Sequence, residues 1–113
     1  MAAIKICKSS DFPGGFSRIS NYAMHDMTLT MKARGLLAFM MSLPDGWDGT
    51  AAGLADICIE GETAISSMLN ELEQHGYLVR VKKFPNETKS GRIEYEYRIY
   101  DIPQHTAKKD VNE

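Results

Sequence analysis

Cysteine is scarce in this chain of 113 residues: Cys7 and Cys58 are the two present, and they lie far apart in no zinc-ribbon or dithiol spacing. A disulfide scaffold and a paired redox motif are excluded, and two reduced thiols in a cytoplasmic protein are expected. Long apolar runs are missing too. The longest, Leu36 to Met41, suits a buried helix and falls far short of the roughly 18 residues needed to cross a bilayer. No apolar segment follows the N-terminal lysines, so neither a secretory signal nor a membrane partner is expected. Asn86-Glu87-Thr88 matches a glycosylation sequon but carries no weight without export.

Catalytic motifs are equally absent. The chain has no nucleophile elbow, no glycine loop shaped for phosphates and no metal-binding helix motif, and His25, His75 and His105 are scattered. A zinc site from Cys7, Cys58 and His75 requires the fold to gather them against their spacing. These absences point to a binding protein and not an enzyme, with no cofactor, no metal and no small-molecule substrate.

Positive charge is not in excess, since the formal net charge is −2. The distribution says more than the sum. Between Arg80 and Arg92 five basic residues, Arg80, Lys82, Lys83, Lys89 and Arg92, accompany one acid, Glu87. Between Glu60 and His75 there are four acids and no Lys or Arg. The charge is segregated along the chain.

What is present is a clear change of period. Residues 1–15 end in Pro13-Gly14-Gly15 and read as an N-terminal arm. Phe16 to Ser20 suggests a short strand, and Asn21 to Asp26 one helical turn. Thr30 is an N-cap candidate for a helix with Leu36, Leu37, Met40 and Leu43 inward, stopped at Pro44-Asp45-Gly46. Gly35 inside that helix suggests close packing against a neighbour. Thr50 opens a short helix to about Cys58, with Leu54 and Ile57 inward. After the turn Ile59-Glu60-Gly61, a longer helix from Glu62 to His75 places Ile65, Met68, Leu69 and Leu72 on one face, and Gly76 suits its left-handed C-terminal stop. Tyr77 to Phe84 is β-rich, and Ile93, Tyr95, Tyr97 and Ile99 alternate with Arg92, Glu94, Glu96 and Arg98, as in a half-buried strand. Pro85 to Gly91 is the hairpin loop, and residues 104–113 form a polar tail.

Packing the apolar face of that hairpin onto the helices solves two problems together, because neither a hairpin nor three short helices makes a core alone. The expected fold is α+β: a winged helix-turn-helix over residues 16–103, with three main helices and an antiparallel β-hairpin wing. In such a motif the second helix enters the major groove. Here its outward side carries Thr63, Ser66, Ser67, Asn70 and Gln74, uncharged side chains able to pair with bases or phosphates. Arg80, Lys82, Lys83, Lys89 and Arg92 form a basic wing able to neutralise phosphates. Double-stranded DNA is the expected partner. The rival expectation is a protein-interaction module whose dimer or partner surface combines the acidic flanks at Glu71 and Glu73 with the exposed parts of the methionine-rich first half.

From Leu29 to Pro103 the sequence resembles the N-terminal winged-helix domains of DnaD-like and phage replisome-organiser proteins. The resemblance rests on Leu29-Thr30-Met31-Lys32-Ala33-Arg34-Gly35-Leu36-Leu37-Ala38 and Ser42-Leu43-Pro44-Asp45-Gly46-Trp47. It continues through Leu69-Asn70-Glu71-Leu72-Glu73-Gln74-His75-Gly76-Tyr77-Leu78-Val79-Arg80 and Gly91-Arg92. It implies a role in replication initiation or transcriptional control in bacteria or their mobile elements, with self-association or a replication-protein partner.

Overall fold

Local capping chemistry sets where the helices begin. Thr30 is extended, and its hydroxyl accepts from Ala33 N–H at 3.1 Å, starting a helix over Met31–Met41. Thr50 does the same for Gly53 N–H at 3.1 Å, starting a short helix over Ala51–Ala55. Ser20 caps a single turn over Asn21–Met24. In chain order these are α1 (Asn21–Met24), α2 (Met31–Met41), α3 (Ala51–Ala55) and α4 (Glu62–Gln74), followed by β1 (Leu78–Lys83) and β2 (Glu94–Ile99). The computed structural model describes residues 1–104. The expected polar tail therefore lies outside the described residues, except for Gln104.

The strands pair antiparallel, from Leu78 opposite Ile99 to Lys83 opposite Glu94. With α3 and α4 as the helix-turn-helix pair against α2, and the hairpin as wing, the fold is an α+β winged helix-turn-helix. Its core consists of Leu36 and Leu37 from α2, Leu54 from α3, Ile65, Leu69 and Leu72 from α4, and Tyr77 and Leu78 at the start of the wing. Each fully buried large side chain contributes about 1.5–3 kcal/mol by leaving water.

The junction between α4 and β1 is tightly specified. Gly76 adopts φ +90°, the left-handed conformation that glycine takes at least cost. Tyr77 N–H donates to Leu72 C=O at 2.9 Å and Gly76 N–H to Glu73 C=O at 3.1 Å, which is a Schellman motif. Tyr77 and Leu72 are both fully buried, supplying the apolar contact that accompanies it. The Tyr77 hydroxyl then donates to Asp26 Oδ2 at 2.7 Å. Asp26 also accepts from Thr28, and these hydrogen bonds, the Thr28 hydroxyl first, hold its carboxyl below the ordinary range. Burial, reinforced by that carboxylate, pushes the Tyr77 phenol well above its ordinary range, so it stays a donor.

Four expectations are corrected. Phe16 to Ser20 forms no strand, because Ser20 instead caps α1 and its N–H donates to Asp101 Oδ2 at 2.7 Å. Ile57 is exposed, since α3 ends at Ala55 and Ile57 lies beyond the helix that was to turn it inward. Gly35 packs against nothing: a Cβ there meets no atom within 4 Å. The glycine of this region that a close contact does require is Gly53, where a Cβ would run into the Asp48 side chain that accepts from Thr50. Last, the hairpin's apolar face packs only at its root. Tyr97 and Ile99 reach the core, but Ile93 and Tyr95 are more than half exposed, because the arm has by then passed beyond the helices.

Two outcomes follow. Gly35→Ala should raise stability by about 1 kcal/mol, read as a higher denaturation midpoint at unchanged slope. Because the Asp26 pKa is lowered in the fold, its contribution is present above the unfolded-state carboxylate pKa of ~4 and is lost as pH falls through the lower folded value. Asp26→Asn should therefore lower the melting temperature at pH 7 and flatten its decline below about pH 4, measured by thermal melts across pH.

Candidate nucleic-acid interface

Helix α4 buries Ile65, Leu69 and Leu72 and turns Thr63, Ser67, Asn70 and Gln74 to solvent, as the ~100° advance per residue dictates. Met68 is half-buried and packs against the core from the side. Thr63, Ser66, Ser67 and Asn70 line one shallow concavity together with Glu62 and Ala51. Ser66 is half-buried at its floor, and Gln74 stands exposed one turn beyond Asn70. The N-terminal arm does not cover this ridge: Thr63, Ser67, Asn70 and Gln74 are all exposed with residues 1–104 in place.

The five basic residues of the hairpin do not form one uniform patch. In the pleat, partners across the register and alternate residues share a face. Leu78, Arg80 and Lys82 therefore lie with Ile99, Tyr97 and Tyr95 on the face turned toward the helices. Val79, Val81 and Lys83 lie with Arg98, Glu96 and Glu94 on the other. Lys83 is occupied there, its Nζ 2.7 Å from Glu96. That lysine and Arg98, whose Nε is 2.6 Å from the same carboxylate, lower the Glu96 pKa to about 2.

On the helix-side face Arg80 anchors the wing to the ridge. Its Nη2 donates to Asn70 Oδ1 at 3.2 Å, its Nε lies 3.5 Å from Glu73, and its guanidinium sits 5.2 Å from the centre of the Tyr97 ring. Lys82, one step outward on the same face, lies 5.3 Å from the Phe84 ring. Lys89 and Arg92 are exposed at the tip and belong to no ion pair among the described residues. The tip is ordered locally: Thr88 Oγ1 donates to Arg92 C=O at 2.8 Å, and Gly91 takes φ +73°.

The acidic flank of α4 is engaged in the fold. Glu71 accepts from both Thr30 N–H, at 2.7 Å, and the Thr30 hydroxyl, at 2.9 Å, so it completes the N-terminus of α2 from 41 residues away. Nothing in the local sequence marks that role, since a flanking glutamate on an amphipathic helix ordinarily faces water. The bond between Asn70 and Arg80 was equally invisible, and so were the exposed aromatics Phe84 and Tyr95 beside Lys82. Cys7 is exposed on the arm, while Cys58 lies half-buried after α3. Among the described residues no group of three or more His, Cys, Asp or Glu side chains is placed to hold a metal ion. No helix among them is long and apolar enough to cross a membrane.

Residues 28–78, from the loop before α2 to the first residue of β1, match a family model described as a helix-turn-helix domain. Neither the curated proteins nor the solved structures hold a match to the chain. The matched segment contains the whole ridge and the Gly76-Tyr77 junction and stops where the wing begins. A helix-turn-helix is in general a DNA-binding unit.

Removing the Glu71 carboxylate leaves Thr30 N–H without its side-chain partner. Glu71→Ala should cost about 1 kcal/mol of stability, on the scale of a lost helix cap, and chemical denaturation is the measurement that checks it.

Proposed function

We propose that this chain is a DNA-binding winged-helix protein that acts without catalysis, in replication initiation or transcriptional control of a bacterial mobile element or phage. The observation that carries the DNA-binding part is the contact between Arg80 and Asn70. It joins the polar ridge of α4 and the helix-side face of the wing into one continuous surface. The role in replication or transcription rests on the sequence resemblance described above.

In this proposal α4 enters the major groove, with Thr63, Ser67 and Asn70 toward base edges and Ser66 and Gln74 toward backbone or bridging water. Lys82, Lys89 and Arg92 hold phosphates as the helix docks. Lys83 contributes less, because it must first leave Glu96. Glu62, at the rim of the concavity, disfavours a phosphate there and suits a cytosine amino group. A second copy on an adjacent half-site raises affinity and specificity. Glu71 and Glu73, the acids that a protein-docking surface on α4 requires, already bond to Thr30 and Arg80, which favours DNA over a partner for this helix.

Duplex titrations at two salt concentrations test the proposal. Affinity for random duplex should fall steeply with salt. Alanine at Lys82, Lys89 or Arg92 should weaken all sequences alike and lower the salt slope by about one each. Asn70→Ala should relax preference at one base pair by about 1–3 kcal/mol. Salt-independent binding, or equal losses for every sequence with Asn70→Ala, contradicts it.

A further inference from the structure

Arg80 opens the basic stretch, and its charge alone assigns it to phosphates together with the lysines beyond it. Its surroundings assign it elsewhere. The guanidinium is held by Asn70, Glu73 and Tyr97 simultaneously, its side chain is 31% exposed, and its Nε is shut off from water. A phosphate contact requires a cation free to reach outward, as Lys89 and Arg92 are on the tip.

The consequence falls on Asn70. An asparagine amide offers an oxygen that accepts and a nitrogen that donates, and either can face outward unless a neighbour decides. Arginine has donors and no acceptor, so the Asn70 oxygen must face Arg80. The amide nitrogen then turns away from Arg80, and Asn70 lines the concavity with Thr63, Ser66 and Ser67. Tyr97 and Glu73 hold the guanidinium plane, so the orientation is set before any ligand arrives.

We propose that Arg80 is a positioning residue that locks the Asn70 amide with its nitrogen presented, making this point of α4 a hydrogen-bond donor for a major-groove acceptor. The acceptors available there are purine N7, guanine O6 and thymine O4. One lone pair of the Asn70 oxygen is already used, so pairing with adenine through both amide atoms is disfavoured relative to an unrestrained asparagine. This inference rests on the DNA-binding proposal above and adds a determinant of which base is read.

Selection of bound duplexes from a random pool, followed by affinity and salt-slope measurements on the selected sequence, tests it. The proteins compared are the wild type, Asn70→Ala, Arg80→Met, Arg80→Lys and the double variant Asn70→Ala/Arg80→Met. Methionine keeps an apolar stem over Tyr97 and removes every donor. Lysine keeps the charge but lacks the planar fork. Arg80→Met should lose roughly fivefold discrimination at the base pair that Asn70→Ala affects, with an unchanged salt slope, whereas Arg80→Lys, also a donor without an acceptor, should restore part of it. The double variant should lose no more than Asn70→Ala does. Uniform weakening of all duplexes by Arg80→Met, with a salt slope lower by about one, overturns the proposal in favour of a phosphate contact. So does full retention of base preference in Arg80→Met. If Arg80→Met does not fold, Arg80→Gln replaces it, because its amide can donate or accept and so leaves Asn70 free to turn either way. Failure of the wild type to retain any duplex overturns the DNA-binding proposal itself, and this one with it.

Discussion

The hydrogen bond from the Tyr77 hydroxyl to Asp26 is the constraint on which the rest of the molecule depends. Tyr77 is the third residue past the end of α4 and the last before β1, and it is wholly buried. Its backbone N–H closes the Schellman turn, its carbonyl accepts from Tyr100 N–H at 2.9 Å, and its side chain reaches the segment before α2. One residue thus joins α4, both ends of the wing and the N-terminal side of the domain. A buried phenol without a partner would cost about 1–3 kcal/mol, so Asp26 is required as much as Tyr77. This junction sets where the wing leaves α4, and Arg80, Tyr97 and Ile99 hold the hairpin root against the helices beyond it.

That placement decides which hairpin residues can share a ligand with α4. With Leu78 in the core, strand alternation turns Arg80 and Lys82 toward the ridge and Lys83 away from it. Two of the acids on the helix flank, Glu71 and Glu73, are engaged by Thr30 and Arg80, which leaves Thr63, Ser67, Asn70 and Gln74 as an uncharged outward stripe with Glu62 at its rim. A chain of net charge −2 can in this way present a surface compatible with phosphates. Glutamates and arginines that read as opposing patches along the sequence become partners across the helix–wing seam.

Much of the fold was legible because its signals are local. Thr30 and Thr50 are caps whose effect spans three residues, Gly76 is a stop whose reason is its own backbone, and the stripe of Ile65, Leu69 and Leu72 repeats within one helix. The ridge followed from the same periodicity, since a buried stripe fixes the opposite one. What depends on contacts between distant segments was not legible. Periodicity says that Tyr95 and Tyr97 share a face, but only the length of the helices beneath says that one is covered and the other is not. Glu71 bonds 41 residues upstream, and no pattern in its own helix distinguishes it from a solvated acid. Gly35 misled for the opposite reason: a glycine in a helix invites a packing explanation, and here open space surrounds it.

The central claim is that the α4 ridge and the helix-side face of the wing touch one duplex together. Backbone amide shifts of isotope-labelled protein, followed while a short duplex is added at low salt, measure this most directly. The account predicts that Thr63, Ser67 and Asn70 shift together with Lys82, Lys89 and Arg92, all with one midpoint. Shifts confined to one of these two groups, or centred on Val79, Val81 and Lys83 on the far face of the hairpin, would contradict it.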